Sequence, residues 1–505
     1  MLNETFLRLA KRALLCSFAL LWLAAWGFSQ PAIILSPGRG SPTSTTLVSG
    51  TGFSALAEVD IYFDTTNLAL AVANDNGSFS SIAIKVPASA VPGTHSVTAK
   101  ERATGESAQA SFVVRTLWTQ FHRVLPQRYN RVENVLSPAT VGGLDVLWDR
   151  SGEGYDNETP AVGNGGVYVG YAQVTGPVFG NVSAYNARNG TLMWRKLLAV
   201  GGAPAVANGV LYVGVGSNPY VPGGVYALDA RTGDVLWMSP AGYYNFSSPA
   251  VVDGVVYDGA DNGNVYALNA GTGALLWKYN TGGDVFSSPA VANGVVYVGS
   301  RDGNVYALNS TTGALRWKYT TGYRVDSSPA VANGVVYVGS EDNNVYALNA
   351  STGALLWKYA TGSGVDSSPA VANGVVYISS YDGNVYALKG STGRPLWKYP
   401  AGGSSSSPAV ANRVVYVSSF QDGNVYALNA STGALLWKHA ADIGSLAVDS
   451  SPAVTNGVVY VGSTAFGLTG SARPAAPERP DPKALSPNLD IPVSRPTARL
   501  PANDD

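Results

Sequence analysis

Cysteine, histidine and charged residues are scarce in this chain. Its 505 residues include one cysteine, three histidines and 13% charged residues, with a net charge of -1. Cys16 falls in an apolar N-terminal segment that we expect to be removed, which excludes a disulfide, a cysteine-based zinc site and covalently attached haem from the mature chain. His95, His122 and His439 are far apart in the sequence, which argues against a histidine metal centre. The nearly balanced charge argues against nucleic-acid binding.

Residues 1–29 have the pattern of an export signal peptide. Three basic residues precede an apolar run over 13–28, and small residues follow where a signal peptidase cleaves. The alternative is an uncleaved membrane anchor, because the run approaches the length that spans a bilayer. Leu15 before Cys16 argues against a lipoprotein. We therefore expect an exported protein that is periplasmic, at the cell surface or secreted, and that meets the membrane only through this segment if it is not cleaved.

Residues 31–115 predict a small β-sandwich, because short alternating segments are separated by glycine and proline. The predicted strands include residues 45–49, 57–63, 78–86 and 96–100. The motifs at 48–53, 76–79 and 92–95 resemble those of bacterial Ig-like domains. That resemblance implies a spacer or an adhesion module.

Tryptophan recurs at nearly fixed intervals through the rest of the chain. The first two steps are 46 and 43 residues, and the last five are 40 each. A period near 40 with strand-type sequence inside it predicts a propeller of repeated four-stranded blades. The residues concerned are Trp148, Trp194, Trp237, Trp277, Trp317, Trp357, Trp397 and Trp437.

Each repeat predicts four strands, with an Asn-Gly turn between the first two. In the unit 328–366 the strands cover 328–332, 335–340, 344–348 and 354–359. A proline opens the first strand of every unit. Because proline cannot donate to a ladder, we expect these residues on the channel-facing edge, where the strand has no partner. They are Pro160, Pro204, Pro249, Pro289, Pro329, Pro369, Pro408 and Pro452.

The prolines and the tryptophans are offset along the chain. Trp148 precedes the first Pro-Ala-Val start, and no tryptophan follows the last start at Pro452. The offset predicts a closed ring of eight blades over 116–470, in which N-terminal strands complete the last blade and Asn134-Val135 supplies its third strand. An open solenoid is the alternative. Residues 471–505 are rich in proline and charge and predict a disordered tail.

A recurring motif surrounds each tryptophan. In one copy it comprises Ala347, Asn349, Thr352, Gly353 and Trp357. The motif resembles the tryptophan-docking motif of quinoprotein propellers, which are named for pyrroloquinoline quinone (PQQ). The segment from 128–130 through 144–148 also resembles the propeller-closing segment of that family. The resemblance implies that each tryptophan is structural and packs between blades against the glycine turn of the next motif.

The loops at one end of the repeats vary, whereas those at the other end are nearly constant. Repeats one and two also carry insertions at the variable end, at 171–180 and 215–223. A specific partner needs asymmetry, so we place a ligand face at the variable end, with ordinary loop packing as the alternative. The candidates are Tyr171, Tyr220, Tyr243, Tyr244, Phe246, Phe286, Tyr323, Arg324, Asp326, Asp366 and Asp449.

The acidic candidates Asp326, Asp366 and Asp449 each stand directly before a Ser-Ser-Pro sequence. Converging carboxylates could bind a cation such as Ca²⁺. The alternative is that each aspartate caps a turn by accepting from the backbone N–H groups that follow it.

The sequence shows no catalytic, cofactor-binding or metal-ligating set, so we expect no cofactor and no enzymatic activity. The first hypothesis is an exported scaffold that binds a protein or a glycan at the cell envelope or outside the cell. The quinoprotein resemblance implies an alternative, a PQQ- and Ca²⁺-dependent dehydrogenase of alcohols or sugars. The enzymes of that family add a cysteine pair, calcium ligands and a catalytic aspartate, although calcium-dependent relatives without the cysteines exist. A further alternative resembles the propeller subunit of outer-membrane protein assembly.

Overall fold

The computed structural model describes residues 30–121, 127–150, 158–171, 180–218, 220–241, 246–402, 406–440, 448, 450–463 and 467–472. The expected export signal and the expected tail from residue 473 onward lie outside these residues, as do His122, Tyr243, Tyr244 and Asp449. Within the described part of the chain, no helix has the length and apolarity needed to cross a membrane.

The first domain consists of two packed sheets, with strand orders β1-β3-β6 and β2-β8-β7-β4-β5. Val48 and Ile84 of the first sheet join one buried cluster with Ile61, Val97 and Phe112 of the second, which explains the alternating sequence. The strands are β1 (Ala32–Ser36), β2 (Arg39–Gly40), β3 (Thr45–Thr51), β4 (Glu58–Phe63), β5 (Thr66–Val72), β6 (Phe79–Lys85), β7 (Gly93–Glu101) and β8 (Ser107–Val114).

In the rest of the described chain, the regular secondary structure consists of short strands and one 3₁₀ turn, Val141–Gly143. Up to blade 3, defined below, the strands are β9 (Tyr129–Asn130), β10 (Asp145–Asp149), β11 (Ala161–Gly163), β12 (Gly166–Tyr171), β13 (Asn181–Asn186), β14 (Leu192–Lys196), β15 (Ala205–Ala207), β16 (Val210–Val215), β17 (Gly224–Asp229), β18 (Val235–Ser239), β19 (Ala250–Val252), β20 (Val255–Gly259), β21 (Asn264–Asn269) and β22 (Leu275–Asn280). They continue as β23 (Ala290–Ala292), β24 (Val295–Gly299), β25 (Asn304–Asn309), β26 (Leu315–Thr320), β27 (Ala330–Ala332), β28 (Val335–Ser340), β29 (Asn344–Asn349), β30 (Leu355–Ala360), β31 (Ala370–Ala372), β32 (Val375–Ser379), β33 (Asn384–Lys389), β34 (Pro395–Pro400), β35 (Ala409–Ala411), β36 (Val414–Ser418), β37 (Asn424–Asn429), β38 (Leu435–Ala440), β39 (Ala453–Thr455), β40 (Val458–Ser463) and β41 (Gly467–Ala472).

Strands β10 to β41 form eight antiparallel four-stranded blades, which we call blades 1 to 8, and β9 pairs in parallel with β35 at the inner edge of blade 7. Blades 1 to 7 use four consecutive strands each, from β11–β14 to β35–β38, and blade 8 has the order β10-β41-β40-β39. The first strand of every blade contacts the first strand of the next, and β39 contacts β11. The ring therefore closes, as the offset of prolines and tryptophans predicts. The third strands of blades 1 to 7 are buried on both faces because adjacent blades cover them.

The third strand of blade 8 differs from the prediction. It is Gly467–Ala472, which pairs with both β40 and the N-terminal β10. The propeller therefore extends two residues beyond position 470, and the prediction that Asn134-Val135 fills this place is wrong. Asn134 instead donates its side-chain amide to the carbonyls of Ala88 and Ala90 in the first domain, at 3.1 and 2.8 Å.

The inner edge of the blades is not free, contrary to the expectation drawn from the prolines. Residues 116–121 and 127–130, which we call the inner segment, hydrogen-bond to the first strands of seven of the eight blades. The N–H of Val206 donates to the carbonyl of Thr119 at 2.6 Å, and the N–H of Val371 donates to that of Gln127 at 2.9 Å. Asn130 reaches the carbonyl of Val454 at 2.8 Å. The other contacts to first strands come from Thr116 to blade 8, Trp118 to blade 1, Gln120 to blade 3, Gln127 to blade 5 and Arg128 to blade 7.

The serine before each proline links neighbouring blades around the ring. The backbone N–H of Ser288, for example, donates to the hydroxyl of Ser328 at 2.8 Å. The same bond, at 2.8 to 3.1 Å, is accepted by Ser248, Ser288, Ser328, Ser368, Ser407, Ser451 and Thr159. Only blade 2, with Ala203, has no hydroxyl at this position. The Ser-Ser-Pro sequences thus have a structural role in closing the ring.

Each repeated tryptophan donates its indole N–H to a carbonyl of the next blade, at 2.8 to 3.2 Å. The acceptors are Ala187, Ala230, Ala270, Ser310, Ala350, Gly390, Ala430 and Leu144. Glycine is required beside the ring: a Cβ on Gly353, where φ is 73°, would lie 2.7 Å from the Trp317 indole. Trp437 departs from the pattern, because its acceptor Leu144 follows the 3₁₀ turn instead of a glycine turn.

Candidate functional site at the open end of the channel

The two ends of the propeller channel differ. The first domain joins the constant end, where the backbone N–H of Thr116 donates to the side chain of Asn456 in the Asn-Gly turn of blade 8 at 2.7 Å. The inner segment enters the channel from that end. The variable end carries the candidate ligand residues.

Arg128 lies fully buried within the channel. Its guanidinium donates to the carbonyls of Phe121, Ser407, Pro408 and Pro452 at 2.8 to 3.3 Å. It also lies over the Phe121 ring, 4.4 Å from the centroid. Burial lowers the pKa of Arg128 to about 9, so the side chain stays protonated at neutral pH. The Arg128 side chain therefore provides donors for backbone carbonyls at the starts of the first strands, where no neighbouring strand supplies an N–H group.

Two positions per blade surround the open mouth and vary between otherwise similar blades. The first mouth position precedes the Ser-Ser-Pro sequence, and the second lies between the second and third strands. In blades 3 to 6 the first position holds Phe246, Phe286, Asp326 and Asp366, and the second holds Asp261, Arg301, Glu341 and Tyr381. The residues that close the ring are nearly the same in these blades, so closing the ring does not explain why the two mouth positions differ from blade to blade.

The mouth positions of blades 3 to 5 form one connected stack. The Arg301 guanidinium donates hydrogen bonds to both carboxylate oxygens of Asp326, from Nε to Oδ1 at 3.0 Å and from Nη2 to Oδ2 at 2.8 Å. It also lies 3.8 Å above the Phe286 ring, which packs against Phe246 with centroids 4.9 Å apart. This geometry holds Arg301 rigidly and neutralises one carboxylate.

Two further carboxylates complete the cluster. Oxygens of Asp326, Glu341 and Asp366 lie within 4.8 Å of one another. Tyr381 donates to Asp366 Oδ2 at 2.8 Å, whereas the buried Asp366 Oδ1 has no hydrogen-bond partner among the described residues. Burial raises the pKa of Glu341, and the neighbouring Asp366 and Asp326 raise it further. Burial also raises the pKa of Asp366, with the hydrogen bond from Tyr381 opposing it.

For Asp326 and Asp366, the structure shows side-chain partners and not the turn capping that was the alternative to a cation site. Within the described residues, Asp326 pairs with Arg301 and Asp366 with Tyr381, both side chains, instead of the following backbone N–H groups. Sequence reasoning missed Arg301, Glu341 and Tyr381. The signal was available, because a position that reads Asp, Arg, Glu and Tyr in successive repeats is under no common structural constraint.

The other candidate residues lie apart from this cluster. Tyr171 is buried at the end of β12 in blade 1. Tyr220 is 81% exposed in the blade 2 insertion. Tyr323 is exposed and lies beneath Arg324, whose guanidinium is 5.5 Å from its ring centroid. Arg324 acts on the cluster at a distance, lowering the pKa of Glu341.

The repeats match a known family. A family model described as "Outer membrane protein assembly factor BamB" matches residues 178–288, 261–366 and 352–474, which together span more than half of the chain. The chain belongs to this family. No curated protein matches the sequence.

Solved structures share the propeller fold of this BamB family member. BamB from Moraxella catarrhalis is 22% identical, with a TM-score of 0.54, over 66% of this chain and 98% of that chain. Quinohemoprotein alcohol dehydrogenase ADHIIG from Pseudomonas putida HK5 is 18% identical, with a TM-score of 0.57, over 75% and 82%. The computationally designed Ika8 protein is 19% identical, with a TM-score of 0.54, over 64% and 99%. At these identities the likeness shows the fold alone.

The dehydrogenase likeness raises the question of whether PQQ and Ca²⁺ fit this chain. At the level of the first strands the inner segment and the Arg128 side chain occupy the channel. At the mouth, Asp326 is already neutralised by Arg301. The inner segment thus lies where a flat quinone along the channel would have to sit, and we assign no reaction step to PQQ or to calcium.

Proposed function

We propose that this protein is an exported, non-enzymatic scaffold that binds a partner protein through the open mouth of its propeller, at the cell envelope or outside the cell. The observation that carries the proposal is the variation of the mouth positions on a repeated framework. Residues that close the ring recur in nearly every blade, whereas the mouth residues change in charge and size. Such variation provides asymmetry for recognition without cost to the framework.

Two further observations support this proposal. The first domain joins the propeller at the opposite end, so it does not cover the mouth. The family is described by an assembly factor of outer-membrane proteins, a description that fits a protein partner and an envelope location. The N-terminal sequence pattern supports export.

Site-specific photocrosslinking tests the location of the binding face. A photoreactive residue replaces Tyr323 at the mouth or Asp253 at the constant end in the full chain, which is then mixed with an envelope extract of the source cells. Both positions are exposed, so the two variants report on opposite ends with similar accessibility. We expect discrete adducts from position 323 only. Equal adducts from both ends, or adducts from 253 alone, would refute a binding face at the mouth.

The glycan and dehydrogenase alternatives have direct tests with the purified protein. A glycan array with the same full chain would show saturable, mouth-dependent binding if the partner is a carbohydrate. Titration with PQQ, with and without Ca²⁺, would show quenching of tryptophan fluorescence if the channel accepts the quinone. We expect neither signal.

A further inference from the structure

The mouth residues of blades 4 to 6 leave an excess of negative charge. Asp284, Asp326, Glu341 and Asp366 are balanced only by Arg301 and Arg324. Arg301 is committed to Asp326 and also approaches Asp284, at 4.0 Å. Among the described residues, Glu341 and Asp366 form no ion pair with a basic side chain within 4 Å. Two neighbouring half-buried carboxylates that lack a direct ion pair disfavour each other, and a cation from outside would relieve that repulsion.

An apolar surface adjoins these carboxylates. The rings of the Phe246–Phe286 pair are tilted to each other at an interplanar angle of 55°, and Arg301 connects the pair to Asp326. Aromatic side chains next to a charged site are typical of protein-binding hot spots, because they exclude water from the neighbouring polar contact. A partner that uses both surfaces must carry a cation close to an apolar group.

We propose that the crescent from Phe246 to Asp366 binds a lysine or arginine side chain of an extended partner segment, with an adjacent apolar side chain on the Phe246–Phe286 pair. The inference rests on the proposed function and adds the chemistry of the partner. The rigid Arg301–Asp326 pair lies between the two subsites and sets their separation. Acidic segments are repelled by Glu341 and Asp366, which gives selectivity as well as attraction.

The repeats themselves supply the test variants. Glu341→Arg places at blade 5 the residue that blade 4 carries as Arg301, so the framework already accepts it. The control is Asp253→Asn, which removes one charge at the constant end. It introduces the residue found at the equivalent positions 293 and 333, which share its positive φ. Both variants are checked for an unchanged melting temperature.

The probe is an immobilised set of short random-sequence peptides with a central Lys-Phe pair, replaced in parallel sets by Arg-Phe, Ser-Phe, Glu-Phe and Lys-Ser. We expect the full chain to prefer Lys-Phe and Arg-Phe. Glu341→Arg should reduce that binding by about tenfold or more, as for loss of a desolvated charge contact. Asp253→Asn should bind like the parent protein.

The outcomes separate this inference from the proposed function. Peptide binding that is lost in Phe286→Ser but is indifferent to the central charge would overturn the inference and keep the mouth as a binding face. Binding of all sets that survives every mouth variant would overturn both. Calcium titration of the free protein is a separate check. Saturable Ca²⁺ binding that Asp366→Asn abolishes would assign the carboxylates to a metal and overturn the inference.

Discussion

The indole N–H of Trp357 donates to the carbonyl of Gly390 in the next blade at 2.8 Å. Tyr337 donates its hydroxyl to the same carbonyl at 3.2 Å, and its ring lies 5.9 Å from the indole. Two donors from one blade thus hold one acceptor of its neighbour. The arrangement recurs around the ring, so the docking motif combines apolar burial with a directional link.

Replacing this tryptophan should destabilise the propeller. Trp357→Ala removes a large buried ring and is expected to cost about 3–5 kcal/mol in the free energy of unfolding. Trp357→Phe keeps most of the apolar contact and loses the hydrogen bond, so we expect a cost of about 1–2 kcal/mol. Urea unfolding followed by fluorescence measures both. Equal midpoints for the parent and Trp357→Ala would contradict the structural role.

The serine ring predicts opposite effects for two small substitutions. Ser328→Ala leaves the buried N–H of Ser288 without its acceptor, at an expected cost of about 1–3 kcal/mol. Ala203→Ser supplies the one missing hydroxyl of the ring and should be neutral or stabilising. Thermal unfolding of the two variants side by side checks the prediction. A loss of stability in Ala203→Ser equal to that in Ser328→Ala would indicate that packing, not the hydrogen bond, controls this position.

Arg128 should be essential for closing the channel. Arg128→Met leaves several buried carbonyls without donors, and we expect a loss of at least about 3 kcal/mol. Arg128→Lys should recover only part of it, because an ammonium cannot reproduce the planar fork of the guanidinium. Limited proteolysis gives a local readout, since cleavage between the first domain and blade 1 should accelerate in Arg128→Met. Unchanged cleavage would show that the inner segment is held without this residue.

Asp258 should make stability depend on pH. It is fully buried at a position that holds valine or isoleucine in the other blades. Burial raises its pKa well above the ordinary value, and hydrogen bonds from Ser247 and Gly259 oppose this only in part. The folded state therefore keeps the proton to higher pH than the unfolded chain, and stability falls as pH rises above about 4, until the folded pKa is passed.

Asp258→Val removes this titration. We expect a flatter dependence of unfolding free energy between about pH 5 and pH 8, and a gain of about 1–3 kcal/mol at neutral pH. Denaturant midpoints across that range give the measurement, and the exposed Asp253→Asn serves as the control. A pH slope identical to that of the parent would mean that other groups cause it.

The regular parts of the fold could be predicted from the sequence because the same local pattern recurs in every repeat. The 40-residue period, the Asn-Gly turns and the tryptophan motif each follow from local rules that apply in every copy. The inner segment could not be predicted this way, since Thr119 and Gln127 bind distant strands through backbone carbonyls that any residue provides. The third strand of blade 8 was missed for a similar reason, because Gly467–Ala472 lacks the apolar sequence of the other third strands.

The candidate site was predictable only in part. Asp326 and Asp366 were singled out from their place before Ser-Ser-Pro, and the structure brings them together. Their partners Arg301 and Tyr381 come from loops 25 residues before and 15 residues after them in the sequence. Which loops meet at the mouth depends on how adjacent blades are arranged around the ring. That arrangement cannot be derived from the sequence of one repeat.

The inner segment has a mechanical consequence. A pull on the first domain passes into the inner segment and from there to the first strands of blades on all sides of the axis. The load is shared by the whole circumference, and no single blade has to peel away first. If the N-terminal domain tethers this protein to another structure, we expect the attachment to break only when the whole ring unfolds.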